Sequence, residues 1–330
     1  MITTVAHSSD VGEARRAATE FARKAGGSEA QLGRIALVAT EMATNIVKHA
    51  GAGGGAVVAE RFDDAAGTGI ELLAIDRGPG MADVKTCRAD GFSTAGSPGT
   101  GLGAIARQAD VFGVYSRSTL GTALSARFVF APPRMNSPAM DIGAVSVAYP
   151  GETVCGDQWA FDTGSNGNTL FVVDGSGHGM NAAEAAGIAT GILKEHAADG
   201  CVPLVERMHR ALTPTRGAAL GVARIDAEAR LVRFVGVGNI AAAMVTGSDA
   251  RQMISHNGTA GHIAPRIREF TYPFAATPTV ILHSDGLSNR WRLADYPGLA
   301  ACHPSLMAAV LFRDFRRARD DATIAVMRPR

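Results

Sequence analysis

Residues 131–138 read APPRMNSP, three prolines within eight positions. Each proline fixes φ and lacks a backbone donor, so this segment can continue neither a helix nor a central strand. It splits the 330 residues into two stretches, in line with a length prior of about two domains. We read domains over residues 1–132 and 140–330, with 133–139 as the linker. The halves do not resemble one another, and no repeat of about 20–50 residues is visible. Hydrophobic residues make up 46% and charged residues 19%, so each half can bury a core and disorder is excluded.

The first half alternates helix and strand. Residues 12–25 read as a short helix. Ser28-Glu29-Ala30-Gln31 has the capping-box pattern, a side-chain acceptor followed three positions later by Gln. The helix it opens runs to about residue 50, with Leu32, Ile35, Ala39, Met42 and Ile46 forming an apolar face. The glycines of residues 51–55 end it. Residues 56–62 and 70–75 read as strands, and 127–131 as a strand closing the sheet.

Glu41, Asn45 and Lys48 lie three and four residues apart, hence on one polar face of the long helix. Alone, such a face is merely solvated. Two motifs further along the chain change its meaning. Ile75-Asp76-Arg77-Gly78-Pro79-Gly80 ends a strand with a carboxylate and two glycines. A carboxylate there can accept from the exocyclic amine of adenine, and glycine lets backbone approach the ring. Ser97-Pro98-Gly99-Thr100-Gly101-Leu102-Gly103 then opens a helix over 104–109. Glycine-rich backbone at a helix N-terminus cradles phosphate. A dinucleotide fingerprint is excluded because no strand directly precedes these glycines, and a P-loop because Gly-Lys-Ser/Thr is absent.

In this order the three motifs resemble the N box and two glycine boxes of the ATPase fold shared by gyrase, histidine kinases and MutL. The phrasing EMATNIVKHAGAGGG and DGFSTAGSPGTGLG is similar to the anti-sigma-factor-type serine kinases of bacterial partner-switching systems. The resemblance covers roughly residues 30–130 and implies a two-layer, Bergerat-like α/β sandwich. It implies Asn45 on the Mg²⁺ that bridges the ATP phosphates, Asp76 on adenine, and Glu41 as base for an incoming Ser or Thr hydroxyl. Lys48, Gly78, Gly80, Gly99, Thr100, Gly101, Leu102 and Gly103 complete the nucleotide site. About 27 residues precede the long helix, too few for a histidine kinase's dimerising hairpin, and His49 reads as a bystander or a phosphate neighbour.

The second half carries strand-like runs at residues 144–149, 169–173, 219–225, 231–237, 242–245 and 279–283, with helical periodicity over 180–196 and 202–212. Strands interrupted by paired helices suggest an α+β sandwich. Aspartates stand at the ends of its apolar runs: Asp157, Asp174, Asp285 and the pair Asp320-Asp321. One Asp-Gly after a strand is a turn. Four such positions in one domain are harder to dismiss. Gathered together, the carboxylates would repel unless cations neutralised them, and oxygen ligands suit Mg²⁺ or Mn²⁺. Two such ions can generate hydroxide and clamp a phosphoryl group.

These segments resemble the metal-dependent (type 2C) protein phosphatases of the bacterial sporulation and stress-response branch, the SpoIIE type. Gly156-Asp157, Asp174-x-Ser-Gly-His-Gly, the Gly236-Val237-Gly238-Asn239 strand end, residues 257–261, Ser284-Asp285-Gly286 and Arg319-Asp320-Asp321-Ala322-Thr323 fall in family order. The resemblance spans roughly residues 145–328 and implies an αββα sandwich. It places Asp157, Asp174, Asp285 and Asp320 around two Mn²⁺ or Mg²⁺ ions, with the Gly175 carbonyl as an extra ligand; Asp321 is the alternative to Asp320. His178 is either a general acid for the leaving serine oxygen or a residue that stabilises its own turn or sits near the metals. His283 reads as a core residue, and Cys87 and Cys155 as small apolar residues.

Composition narrows the partners. Thirty-two cations against thirty-one anions leave +1, which argues against a general grip on nucleic acid. No uncharged run reaches the roughly 18 apolar residues of a membrane helix, and residues 1–10 lack a secretory signal. The four cysteines, Cys87, Cys155, Cys201 and Cys302, form no CxxC pair, which suits a reducing cytoplasm. The expectation is a cytoplasmic fusion in which one domain phosphorylates, and the other dephosphorylates, a STAS-type anti-sigma-factor antagonist. A homodimer is left open. The rival reading is a phosphatase regulated by a non-catalytic module that binds ATP and a partner; an intact Glu41 favours the kinase.

Overall fold

The computed structural model describes residues 1–81, 101–133, 140–164, 167–247, 249–264 and 266–330. Gly99, Thr100, Cys87 and linker positions 134–139 lie outside the described residues. The chain divides into two compact units, Met1–Met135 and Asn136–Arg330.

The first unit is a five-stranded antiparallel sheet backed by helices. Its strands are β1 (Ile2–Val5), β2 (Gly55–Asp64), β3 (Gly67–Asp76), β4 (Val111–Ser116) and β5 (Thr122–Ala131), in the order β1-β2-β3-β5-β4. The helices are α1 (Asp10–Lys24), α2 (Glu29–His49) and α3 (Gly101–Gln108). Helix α2 begins where its capping box says it should. The Ser28 hydroxyl accepts from the Gln31 amide, and Gln31 Oε1 accepts from Ser28 N–H at 2.8 Å. Leu32, Ile35, Ala39, Met42 and Ile46 are all buried against Val57, Ala59, Ile70, Leu72 and Phe128 of the sheet, with Ala14, Ala18 and Ala22 of α1 in the same cluster. This is the expected two-layer sandwich. One strand expectation is corrected: residues 127–131 do not close the sheet. They belong to β5, an interior strand between β3 and β4, and the edges are the short strands β1 and β4.

The second unit stacks two antiparallel sheets. One contains β7 (Asp157–Gly164), β8 (Gly167–Gly175), β9 (Ala218–Asp226), β10 (Leu231–Val237) and β13 (Phe270–Pro273), ordered β13-β10-β9-β8-β7. The other contains β6 (Met140–Val147), β11 (Ala241–Thr246), β12 (Asp249–Met253), β14 (Thr279–His283) and β15 (Ala322–Pro329), ordered β12-β11-β14-β15-β6. Ile142, Leu170, Val172, Phe234, Leu282 and Ala325 fill the space between the sheets. Helices α4 (Met180–His196) and α5 (Cys201–Ala211) cover the outer face of the first sheet through Ala185, Ala189, Leu193, Leu204 and Met208. Helix α6 (Pro304–Phe315) packs on β6 and β15 of the second. Gly143 permits that approach, because a Cβ there would lie 2.0 Å from the Ser305 nitrogen. The architecture is the expected αββα sandwich.

Candidate functional site

In the first unit, Glu41 and Asn45 stand one turn apart on α2, and the first residue of α3 is pressed against both. A Cβ on Gly101 would lie 3.1 Å from Asn45 Oδ1 and 3.4 Å from Glu41 Oε2. The start of α3, which is glycine backbone, therefore faces the polar side of α2. Leu102 instead packs into the core behind it, and Gly103 is buried. Lys48 and His49 are exposed in the last turn of α2. Asp76 closes β3 opposite Gly55, which itself sits between Asp76 and Ile46 of α2. Its Oδ1 accepts from Gly78 N–H at 2.7 Å.

The glycines after Asp76 are required by close approaches. A Cβ on Gly78 would fall 2.7 Å from the His49 carbonyl oxygen, and Gly80, at φ +72°, lies against Arg117. Pro79 O accepts from Thr119 N–H at 2.8 Å, and Met81 N–H donates to Ser116 Oγ at 2.8 Å. Residues 76–81 are thus pinned between the end of α2 and the β4–β5 hairpin. The structure brings together Glu41, Asn45 and Gly101, and places Asp76 and Gly78 at the end of the same helix, with Gly80 against the β4–β5 hairpin.

In the second unit, register does the gathering. Asp157 opens β7 and pairs directly with Asp174 near the end of β8, so both carboxylates sit on one face at one sheet end. Asp285 follows β14 and Asp320 precedes β15. Asp174, Asp285 and Asp320 line a cleft of about 620 Å³ together with Arg319, His178, Asn239 and Tyr149. Asp157 lies buried, 2% exposed. Its Oδ2 accepts from Ser284 Oγ at 2.5 Å, and Ser284 in turn accepts from Thr323 N–H at 3.1 Å. Ser284 therefore ties the starts of β7 and β15 to the end of β14.

The electrostatics are those of crowded acids. Burial, and then the charges of Asp157, Asp285, Asp320 and Asp321, push the Asp174 carboxyl up to about 9. Burial raises Asp157 to about 7; the Ser284 hydrogen bond opposes that shift, and Asp321 and Asp320 add to it. Asp320 is raised by burial and by Asp285. Asp285 Oδ2 accepts from Asn239 Nδ2 at 2.6 Å. Among the described residues no three His, Cys, Asp or Glu groups already form a metal cage. The cleft offers an all-oxygen donor set, with a buried Asp157 Oδ1 that has no hydrogen-bond partner. That donor set fits hard divalent cations.

Asp320 and Asp321 separate cleanly. Asp320 faces the cleft, whereas Asp321 is buried and its Oδ1 accepts from Tyr149 N–H at 2.8 Å. Gly175 follows Asp174 where α4 crosses closest: a Cβ would meet the Ala182 oxygen at 2.1 Å. His178 lines the cleft, stacked on Tyr149 with centroids 4.6 Å apart, and its Nδ1 lies 2.7 Å from Glu152 Oε1. His283 is a core residue, 1% exposed, accepting from Trp291 Nε1–H at 3.2 Å. Burial pushes the Cys155 thiol up to about 12, which keeps it unreactive. Sequence reasoning misses Tyr149, Glu152 and Arg319 as site residues. Their only signal is position, within a few residues of a predicted aspartate or on the loop preceding one.

Comparison with known proteins gives the two units their relatives. The histidine kinase-like ATPase domain family matches residues 4–128, and the Stage II sporulation protein E (SpoIIE) family matches residues 165–330. The serine/threonine-protein kinase RsbT of Bacillus subtilis (strain 168) is 33% identical over 117 residues, covering 36% of this chain and 86% of that protein. The phosphoserine phosphatase RsbX of the same organism is 23% identical over 141 residues, 42% of this chain and 70% of that protein. A crystal structure of RsbX in complex with magnesium superposes with a TM-score of 0.51 at 19% identity, covering 58% of this chain and 96% of that one. A structure described under the bacterial stressosome superposes with a TM-score of 0.53 at 26% identity, covering 57% of this chain and 99% of its own. With an anti-sigma-factor-kinase-like ATPase domain joined to a type 2C fold, the chain belongs to the SpoIIE family.

Proposed function

We propose that this chain is a bifunctional regulator of a bacterial partner-switching pathway, with a protein serine/threonine phosphatase in its second unit and a serine/threonine kinase in its first. The phosphatase reading rests above all on the cleft, which Asp174, Asp285 and Asp320 line from the ends of strands in two different sheets. A fold gains nothing from burying repelling acids, so a cation ligand explains their placement. Asp157, Asp174, the Gly175 carbonyl, Asp285 and Asp320 would hold two Mn²⁺ or Mg²⁺ ions. Bound there, such ions supply a hydroxide at neutral pH and neutralise charge on the phosphoryl oxygens. The chain's own residues do the rest. Ser284 holds Asp157 in place, Asn239 holds Asp285, and Arg319 offers a guanidinium to an entering phosphate dianion.

In the first unit, Asp76 would accept from the adenine amine, and Asn45 would take the Mg²⁺ of Mg-ATP. The glycine backbone that opens α3 would approach the phosphates, and Glu41 would take the proton of the attacking hydroxyl. The packing of Gly101 on Glu41 and Asn45 supports this arrangement. The substrate class is a STAS-domain antagonist protein, phosphorylated by one unit and dephosphorylated by the other; the kinase-like and phosphatase relatives support the pairing. Joining opposed activities raises the effective concentration of each at a shared substrate. Incubating the full chain with labelled ATP and STAS proteins, then adding Mn²⁺, tests this reading. Label should appear on a STAS serine or threonine and then be released as phosphate. No transfer to any STAS protein would remove the kinase half.

A further inference from the structure

Resting on that phosphatase reading, we infer that Glu152 is a positioning residue that makes His178 a proton donor to the leaving serine oxygen. The loop between β6 and β7 is built to deliver it. Asp321 Oδ1 anchors this loop through the Tyr149 N–H at 2.8 Å, and Glu152 N–H turns back onto Tyr149 O at 3.0 Å. The same short turn therefore supplies two contacts to one imidazole. Tyr149 stacks on its face with rings inclined by 16°, and Glu152 Oε1 lies 2.7 Å from Nδ1. Gly179 completes the fit. It sits at φ +74°, and a Cβ there would come within 3.0 Å of Glu152 Oε2.

The chemistry derives from the acceptor-only nature of a carboxylate. A carboxylate on Nδ1 requires Nδ1 to carry the proton, so Nε2 is the nitrogen left for exchange. In the doubly protonated ring Nδ1–H stays on Glu152, and Nε2–H is the proton left to give. His178 lines the same cleft as Asp174, Asp285 and Asp320. A water oxygen attacks phosphorus, the P–O bond to the serine breaks with its electron pair on the serine oxygen, and the Nε2 proton moves to that oxygen. His178 is left neutral with Nδ1–H still donated to Glu152, and the proton shed by the attacking water restores the imidazolium.

Leaving-group dependence tests that proton donation. An aryl phosphate expels a stable phenolate and needs little proton donation, whereas phosphoserine expels an alkoxide and needs it fully. In the full chain with Mn²⁺, Glu152→Ala should raise the ratio of kcat on p-nitrophenyl phosphate to kcat on a phosphoserine peptide by about tenfold or more, with KM for the peptide little changed. Glu152→Gln keeps an acceptor without the charge and should fall between; it also carries the test should the Ala variant fail to fold. His178→Ala should raise the same ratio, and adding Glu152→Ala to it should raise it no further. Equal losses on both substrates, or an undiminished effect of Glu152→Ala in the His178→Ala background, would overturn the inference. A parent protein inert toward both substrates with Mn²⁺ would instead remove the phosphatase reading on which it stands.

Discussion

Changing Asp174 to Asn removes one charge from the carboxylate-lined cleft, and the structure sets the size of the response. Asp174 is held at about 9 against an ordinary value of 3.8. Well below pH 3.8 the folded and unfolded chains both carry the proton, and Asp174 costs the fold nothing. As pH rises, the unfolded chain ionises while the folded one resists, so stability falls steadily until about pH 9 and then levels off. At pH 7.5 the penalty is on the order of 5 kcal/mol. Removing even half of it should raise the melting temperature of the second unit by roughly 5–10 °C. The assay is thermal unfolding of parent and Asp174→Asn from pH 4 to 9 in EDTA, then in excess Mn²⁺. Without metal the variant should be the more stable at pH 7.5, and the difference should shrink to under about 1 kcal/mol at pH 4. With Mn²⁺ at about a hundredfold its dissociation constant, the parent should gain about 2.7 kcal/mol and the variant much less. A variant no more stable than the parent at pH 7.5 in EDTA would show that Asp174 carries no burial penalty, and one that gains as much from Mn²⁺ would show that it binds no metal.

Three further outcomes are expected. Asp76→Asn should weaken ATP binding at least about tenfold by calorimetry, since a charge-assisted hydrogen bond in a pocket is worth about 1.5–3 kcal/mol; unchanged affinity would remove Asp76 from the nucleotide site. Glu41→Ala should spare ATP binding and lower phosphate transfer by about 10²–10⁴-fold in a radiolabel assay, and transfer at the parent rate would place the base elsewhere. Gly175→Ala should destabilise the second unit by several kcal/mol in denaturant unfolding, because its methyl group would fall 2.1 Å from the Ala182 oxygen; parental stability would contradict the close crossing of α4.

How much of this is legible in the sequence varies with burial pattern. Helix α2 is legible because its apolar face, its capping box and its terminal glycines all agree. Helix α6 is not: ten of its twelve residues, Pro304 through Arg313, are buried, so no stripe of polar residues marks its period. Strands β1 and β13 are four residues long, too short for alternation to register. Only the second half of β5 reads as a strand, because its first half, Thr-Ala-Leu-Ser-Ala, is poor in β-branched and aromatic residues. The aspartates of the cleft are legible as strand-end acids, yet only the fold, which buries Asp321 under the Tyr149 amide and turns Asp320 to the cleft, tells the two apart. Contacts such as Glu152 with His178, 26 positions apart, have no sequence period at all. They arise from the way a loop returns to the sheet end, which only the fold decides.

If the acids lining the second unit's cleft are metal ligands for phosphate ester hydrolysis, chelation and loss of Asp174 should each silence it. Phosphate release from a phosphoserine peptide by the full chain is measured in EDTA, after Mn²⁺ is restored, and in the Asp174→Asn variant. Release should stop in EDTA, return with Mn²⁺ or Mg²⁺, and be absent from the variant at every metal concentration reached. Hydrolysis that persists in EDTA and survives Asp174→Asn would make these aspartates structural and place the chemistry elsewhere.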